Sequence, residues 1–124
     1  PTERLYAHFC YFNLDVDKMR EASGYFIGTH DFTSFCSQKS QASSPVRTIF
    51  SLEVLQDEDM ITVVIRGDGF LYNMIRIIAG TLIKVGMGVY PPSHITEIMK
   101  AKNRKLAGQT MPAKGLTLVE IEYI

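Results

Sequence analysis

The chain is short of three things that would narrow its class at once: cysteine, net charge and an unbroken apolar run. Its two cysteines, Cys10 and Cys36, stand in apolar or turn-like settings without C-x-x-C spacing. That argues against a disulfide framework and predicts free thiols in a reducing compartment, the cytoplasm. Thirteen basic residues balance thirteen acidic ones, so no global field draws the protein to nucleic acid or to a membrane, and any electrostatic binding has to come from local clusters. No basic stretch precedes an apolar segment and a small-residue cleavage site, so a signal peptide is not expected. The run from Phe70 to Val89 has the length of a membrane span. Arg76 and Lys84 interrupt it and Gly80, Gly86 and Gly88 loosen it, which predicts a buried soluble helix instead.

What is present is the material of one ordered domain over residues 1–124. Hydrophobic residues make up 46% of the chain and charged residues 21%, which argues against disorder. A chain of this length buries enough surface to hold a core without staples. No repeat, low-complexity tract or linker divides it. It opens on Pro1 instead of methionine, as a fragment or processed product would.

Periodicity orders the elements. RLYAHFCYF (4–12) mixes aromatic and small residues on both faces, the pattern of a strand covered on both sides. Asp15 is placed to cap a helix carrying Val16, Met19, Ala22 and Phe26 at helical spacing, with Gly28 at its end. Thr29 is placed to cap a short turn through 30–35, followed by a polar loop, SQKSQASSP (37–45). In PVRTIFSLEVLQ (45–56), Val46, Thr48, Phe50, Leu52 and Val54 alternate along one face, and QDED (56–59) turns into a second strand at 60–66. GDG (67–69) breaks that strand and opens a helix. A further helix follows PPS (91–93), with Ile95, Ile98, Met99 and Lys102 on one side. A basic loop (101–115) and a last strand (116–123) complete the chain. The order predicts an α+β fold, an antiparallel sheet with helices on one face in a split β-α-β-β-α-β arrangement.

One charge stands out. On the helix predicted from Phe70 to Val85, the residues Leu71, Met74, Ile75, Ile78, Leu82 and Val85 form an apolar stripe. Tyr72, Asn73, Arg76, Gly80 and Lys84 fall on or beside the other face, where an amide, an aromatic ring and two cations suit contact with a base edge and a phosphate. Ile77, Ala79 and Ile83 leave that side too apolar for an ordinary wet face, so Arg76 is expected to be partly buried and to need a carboxylate. Asp31 and Asp68 are candidates within the chain, but each is equally placed to cap a turn, so an acid from outside the chain stays open. His8, His30 and His94 have unrelated spacings, so no metal site is predicted. G-x-S-x-G, P-loop and G-x-G-x-x-G motifs are all missing. Lys100, Lys102, Arg104 and Lys105 form the densest basic cluster. It reads equally as a helix end favoured by the dipole or as phosphate contacts.

GTHDFTSF (28–35), VRTI (46–49), GDGFLYNMIRIIAGTLIKVGMG (67–88) and PAKGLTLVEIEY (112–123) together resemble the C-terminal half of TruA-type tRNA pseudouridine synthases. The resemblance runs the length of the chain, and the pattern G-x-G-F-L-x-x-M-x-R-x-x-x-G is specific. Met111, where the family usually has alanine before the proline, is a mild departure. The resemblance implies isomerisation of uridine to pseudouridine in the anticodon arm of tRNA (positions 38–40), on a base flipped out of its stack, by a homodimer needing no cofactor and no metal. It implies that Arg76 pairs with the nucleophilic aspartate. Tyr72 and Asn73 would face the flipped nucleotide, Phe70 and Leu71 would wall the cleft, and Lys100, Lys102, Arg104 and Lys105 would meet phosphates. The family's R-T-D-x-G-x-H nucleophile motif is not in these residues, nor is its pocket tyrosine. The expectation is therefore half an enzyme, inactive alone. A non-catalytic RNA-binding module of the same fold is the alternative, and a purely structural or oligomerisation domain is a third.

Overall fold

The computed structural model describes residues 3–10, 14–36, 44–58, 60–71, 73–107 and 118–123, with residues 9, 10 and 118–123 described through their backbone alone. Strands β1 (Glu3–Cys10), β2 (Gly28–Asp31), β3 (Val46–Asp57), β4 (Met60–Gly67) and β5 (Leu118–Tyr123) form one antiparallel sheet in the order β2-β3-β4-β1-β5. Helices α1 (Val16–Ser23), α2 (Met74–Gly86) and α3 (His94–Ala101) supply the second layer. The fold is α+β, with the helical layer on one face of the sheet.

Burial follows from that layering. Leu5 and Ala7 of β1, Ile61, Val63 and Ile65 of β4, and Leu52 and Val54 of β3 point into the core. On the other face Arg4, Tyr6 and His8 are only half-buried, so β1 is covered on one side and not on both as its composition suggested. Tyr6 and His8 stack with ring centroids 6.1 Å apart, and the His8 Nδ1 lies 2.8 Å from the Thr62 hydroxyl. Such cross-strand polar contacts explain how a half-wet face tolerates large rings.

Two expectations for the first third of the chain are corrected. The helix from Asp15 stops at Ser23, a 3₁₀ turn carries the chain to Phe26, and Gly28 begins β2 with φ +108°. Thr29 caps no turn; it sits in β2, its hydroxyl 2.7 Å from that of Thr48. A four-residue strand made of G-T-H-D exists because β3 holds it in register, Gly28 opposite Ile49 and Asp31 opposite Val46. The alternation expected along β3 also breaks. A bulge between Ile49 and Ser51 shifts the phase, so Ile49, Leu52 and Val54 are buried while Val46 and Phe50 are exposed.

The predicted cap on α1 is present: the Asp15 carboxylate accepts from the Lys18 N–H at 3.1 Å, and the Asp15 N–H donates to the Gly86 carbonyl at 2.9 Å, tying α1 to the end of α2. Phe26, Phe32 and Phe35 are fully buried and meet edge to face beneath the helices. No helix among the described residues is long and apolar enough to cross a membrane.

Candidate functional site

The site expected from the sequence lies where β4 runs into α2, and local chemistry fixes that junction. A β-carbon at Gly67 would stand 2.7 Å from the Thr48 carbonyl oxygen, so only glycine lets the strand end so close to β3. Asp68 then clamps the turn: its N–H donates to the Thr48 carbonyl and its carboxylate accepts from the Thr48 N–H, both at 3.0 Å. Asp68 thus neither caps α2 nor meets Arg76. Phe70 packs half-buried against the core and Leu71 is buried, and the Leu71 carbonyl accepts the Met74 N–H at 3.1 Å. Tyr72 lies outside the described residues.

The helix begins at Met74, four residues later than periodicity placed it, because Asn73 adopts a left-handed conformation (φ 60°, ψ 11°). Asparagine is the residue after glycine that tolerates this region, and such positions concentrate at functional sites. The Asn73 carbonyl accepts the Ile77 N–H at 3.0 Å, so its backbone starts the helix. Past this point α2 is apolar all round: Ile75, Ile77, Ile78, Ala79, Gly80, Thr81, Leu82 and Ile83 are all buried, as a central core helix should be. Arg76 and Lys84 are the half-buried positions of that helix.

Arg76 makes no ion pair or hydrogen bond among the described residues. Asp31, the other acid considered, is occupied elsewhere. Its carboxylate accepts from the Thr33 N–H at 2.9 Å and from the Thr33 hydroxyl, and the Lys102 ammonium lies 3.8 Å away. Burial pushes the Asp31 carboxyl up, but those two hydrogen bonds and the charge of Lys102 more than offset it, and its pKa ends below the usual value. The basic cluster divides. Lys102, in a left-handed conformation (φ 50°) past the end of α3, turns to Asp31; Lys100 and Lys105 are exposed and Arg104 is half-buried. No group of three or more histidine, cysteine or acidic side chains suited to a metal occurs among the described residues. Cys36 is a buried free thiol.

Residues 22–124 match the family model described as tRNA pseudouridine synthase. The chain belongs to the tRNA pseudouridine synthase family. It is 51% identical over 122 residues to the tRNA pseudouridine synthase A of Bacillus pumilus, covering 98% of this chain and 49% of that one. The corresponding protein of Brevibacillus brevis is 51% identical over 118 residues, with 95% and 48% covered, and that of Bacillus subtilis 46% over 121 residues, with 98% and 49% covered. The chain thus spans about half the length of the curated relatives it matches. The sequence marked Asn73 as a candidate but not its left-handed backbone, for which an asparagine two residues after a G-F-L turn was the available signal; Arg47 stood in the VRTI segment without a visible role.

Proposed function

We propose that the chain forms the C-terminal half of an enzyme that isomerises uridine to pseudouridine in tRNA, in the anticodon arm. The observation that carries this reading is Arg76: a guanidinium half-buried among the isoleucines of α2, five residues past the turn 67–71, with no acid of its own among the described residues. A cation partly withdrawn from water is destabilising unless a carboxylate reaches it, and more so once the rest of the enzyme covers it. A nucleophilic aspartate supplied by another part of the enzyme meets that need, and the planar fork of arginine holds a carboxylate in a fixed direction.

In this reading Arg76 is a positioning residue for the aspartate. The aspartate acts at the target nucleoside, the glycosidic bond breaks, and the uracil turns and rejoins through carbon, with no metal or cofactor. Tyr72 and Asn73 face the flipped nucleotide, Phe70 and Leu71 form its apolar wall, and Lys100, Lys102, Arg104 and Lys105 contribute phosphate contacts. The working enzyme is a cytoplasmic homodimer. Residues 1–124 act as one domain, inactive without the half that bears the nucleophile.

The test is nucleoside analysis of unmodified tRNA incubated with the protein, once as residues 1–124 and once in its longest natural form. The expected result is pseudouridine in the anticodon arm with the longest form and none with residues 1–124 alone. Binding of tRNA without conversion by either form would favour the second reading, a non-catalytic RNA-binding module, and efficient conversion by residues 1–124 would refute the division of labour.

A further inference from the structure

The corner where β4 enters α2 carries a cation that the site as described does not use. Arg47, the second residue of β3, lies half-buried across the turn: a β-carbon at Gly69 would stand 3.6 Å from its Nε and 3.8 Å from its Cδ. Its Nη1 donates to the carbonyls of Ser44 and Val46, each at 2.7 Å. These bonds aim the guanidinium without neutralising it, and no carboxylate among the described residues lies within ion-pair distance of it.

Other bonds bring a second cation toward the start of β3. The Phe32 N–H donates to the Pro45 carbonyl at 3.0 Å, which sets the 3₁₀ turn Thr33–Phe35 beside the start of β3. The buried Ser34 hydroxyl donates to the Ile98 carbonyl and accepts the Asn103 N–H, both at 2.8 Å, which brings the turn Arg104–Leu106 alongside. Burial, then Asp31, push the Cys36 thiol pKa up, while Arg104 and Arg47 both pull it down. Two acids share this corner: Asp31 is already held by Thr33 and faced by Lys102, and the Asp68 carboxylate accepts from the Thr48 N–H. An oriented cation that is not matched by an acid, lying against a glycine turn, is the chemistry of an anion site.

We propose that Arg47 grips a backbone phosphate of the RNA strand as it passes the Gly69 turn, with Arg104 flanking it. The inference rests on the RNA-modifying reading above. A planar guanidinium pre-aimed by two carbonyls presents its remaining N–H groups to phosphate oxygens at small entropic cost, and phosphate contacts of this kind fix the register of a strand relative to its site.

The experiment measures binding of an unmodified anticodon stem-loop RNA by fluorescence anisotropy across a salt series. It uses the wild type, Arg47→Gln, Arg47→Lys and, as a distant control on α1, Lys18→Gln, in the longest natural form of the protein. Arg47→Gln should weaken binding about tenfold and lower the slope of log affinity against log salt by about one. Arg47→Lys should keep the slope and recover part of the affinity, because it restores the charge but not the fork. Thermal melts run in parallel show whether the two carbonyl bonds matter for folding. An Arg47→Gln protein with a lower melting temperature but unchanged affinity and slope would make Arg47 a structural clamp and overturn the proposal. Inorganic phosphate that displaces the RNA from the wild type beyond its effect on ionic strength, and equally from Arg47→Gln, would also overturn it. Wild-type protein that binds no RNA would overturn the RNA-modifying reading itself, an outcome distinct from failure at Arg47.

Discussion

Asp31 shows what a single residue does here. Its carboxylate ends the short strand β2, starts the 3₁₀ turn through Thr33 and anchors Lys102 at the end of α3. Because its pKa is lower folded than unfolded, the stability it contributes is present above the ordinary carboxylate value near pH 4 and is lost as pH falls through the folded value. Asp31→Asn should therefore be less stable than the wild type in urea at pH 7, with the difference closing below about pH 4. A difference that stayed constant with pH would show that the charge is irrelevant. At this scale the sequence spoke for Arg76, because a guanidinium among isoleucines announces its own cost. It was silent on Arg47 and on the left-handed backbone of Asn73, although Asn73 itself was singled out. The placement of Arg47 depends on where the turn at 67–69 lies against β3, a long-range contact that no local pattern records.

Among the elements, legibility followed the source of stability. Helix α2 carries its own periodicity, and its apolar residues are buried as the spacing predicts. Strand β2 does not: G-T-H-D reads locally as a turn, and only pairing with β3 makes it a strand. The bulge at Phe50 is similarly set from outside, at the point where Gly67 presses on Thr48. The two tight glycines separate these effects. Ala at Gly67 drives a methyl into a backbone carbonyl that Asp68 already holds, whereas Ala at Gly86 meets the flexible Met19 side chain at 2.9 Å and gains helix propensity. Gly67→Ala should cost toward the upper end of about 1–3 kcal/mol and Gly86→Ala toward the lower end. Urea unfolding of the two variants checks the order, and a larger loss at Gly86 would contradict it.

For the whole molecule, the antiparallel sheet with helices on one face followed from the order of elements, and family membership followed from four separated segments. The one-sided covering of β1 did not, since its mixture of aromatic and small residues suits a two-sided strand equally well. The proposed division of the site also belongs to this scale. A domain with half the length of its relatives presents a turn clamped by Asp68, a helix start set by Asn73 and an arginine without an acid among the described residues. Under the proposed function, Arg76 serves catalysis by holding a carboxylate that other parts of the enzyme provide. Its most direct test compares the longest natural form of the protein with its Arg76→Ala variant, measuring the single-turnover rate of pseudouridine formation and the affinity for tRNA side by side. The rate should fall by about a thousandfold or more with affinity changed by less than about threefold, because positioning is lost and binding is not. Equal losses in rate and affinity, or an unchanged rate, would contradict it.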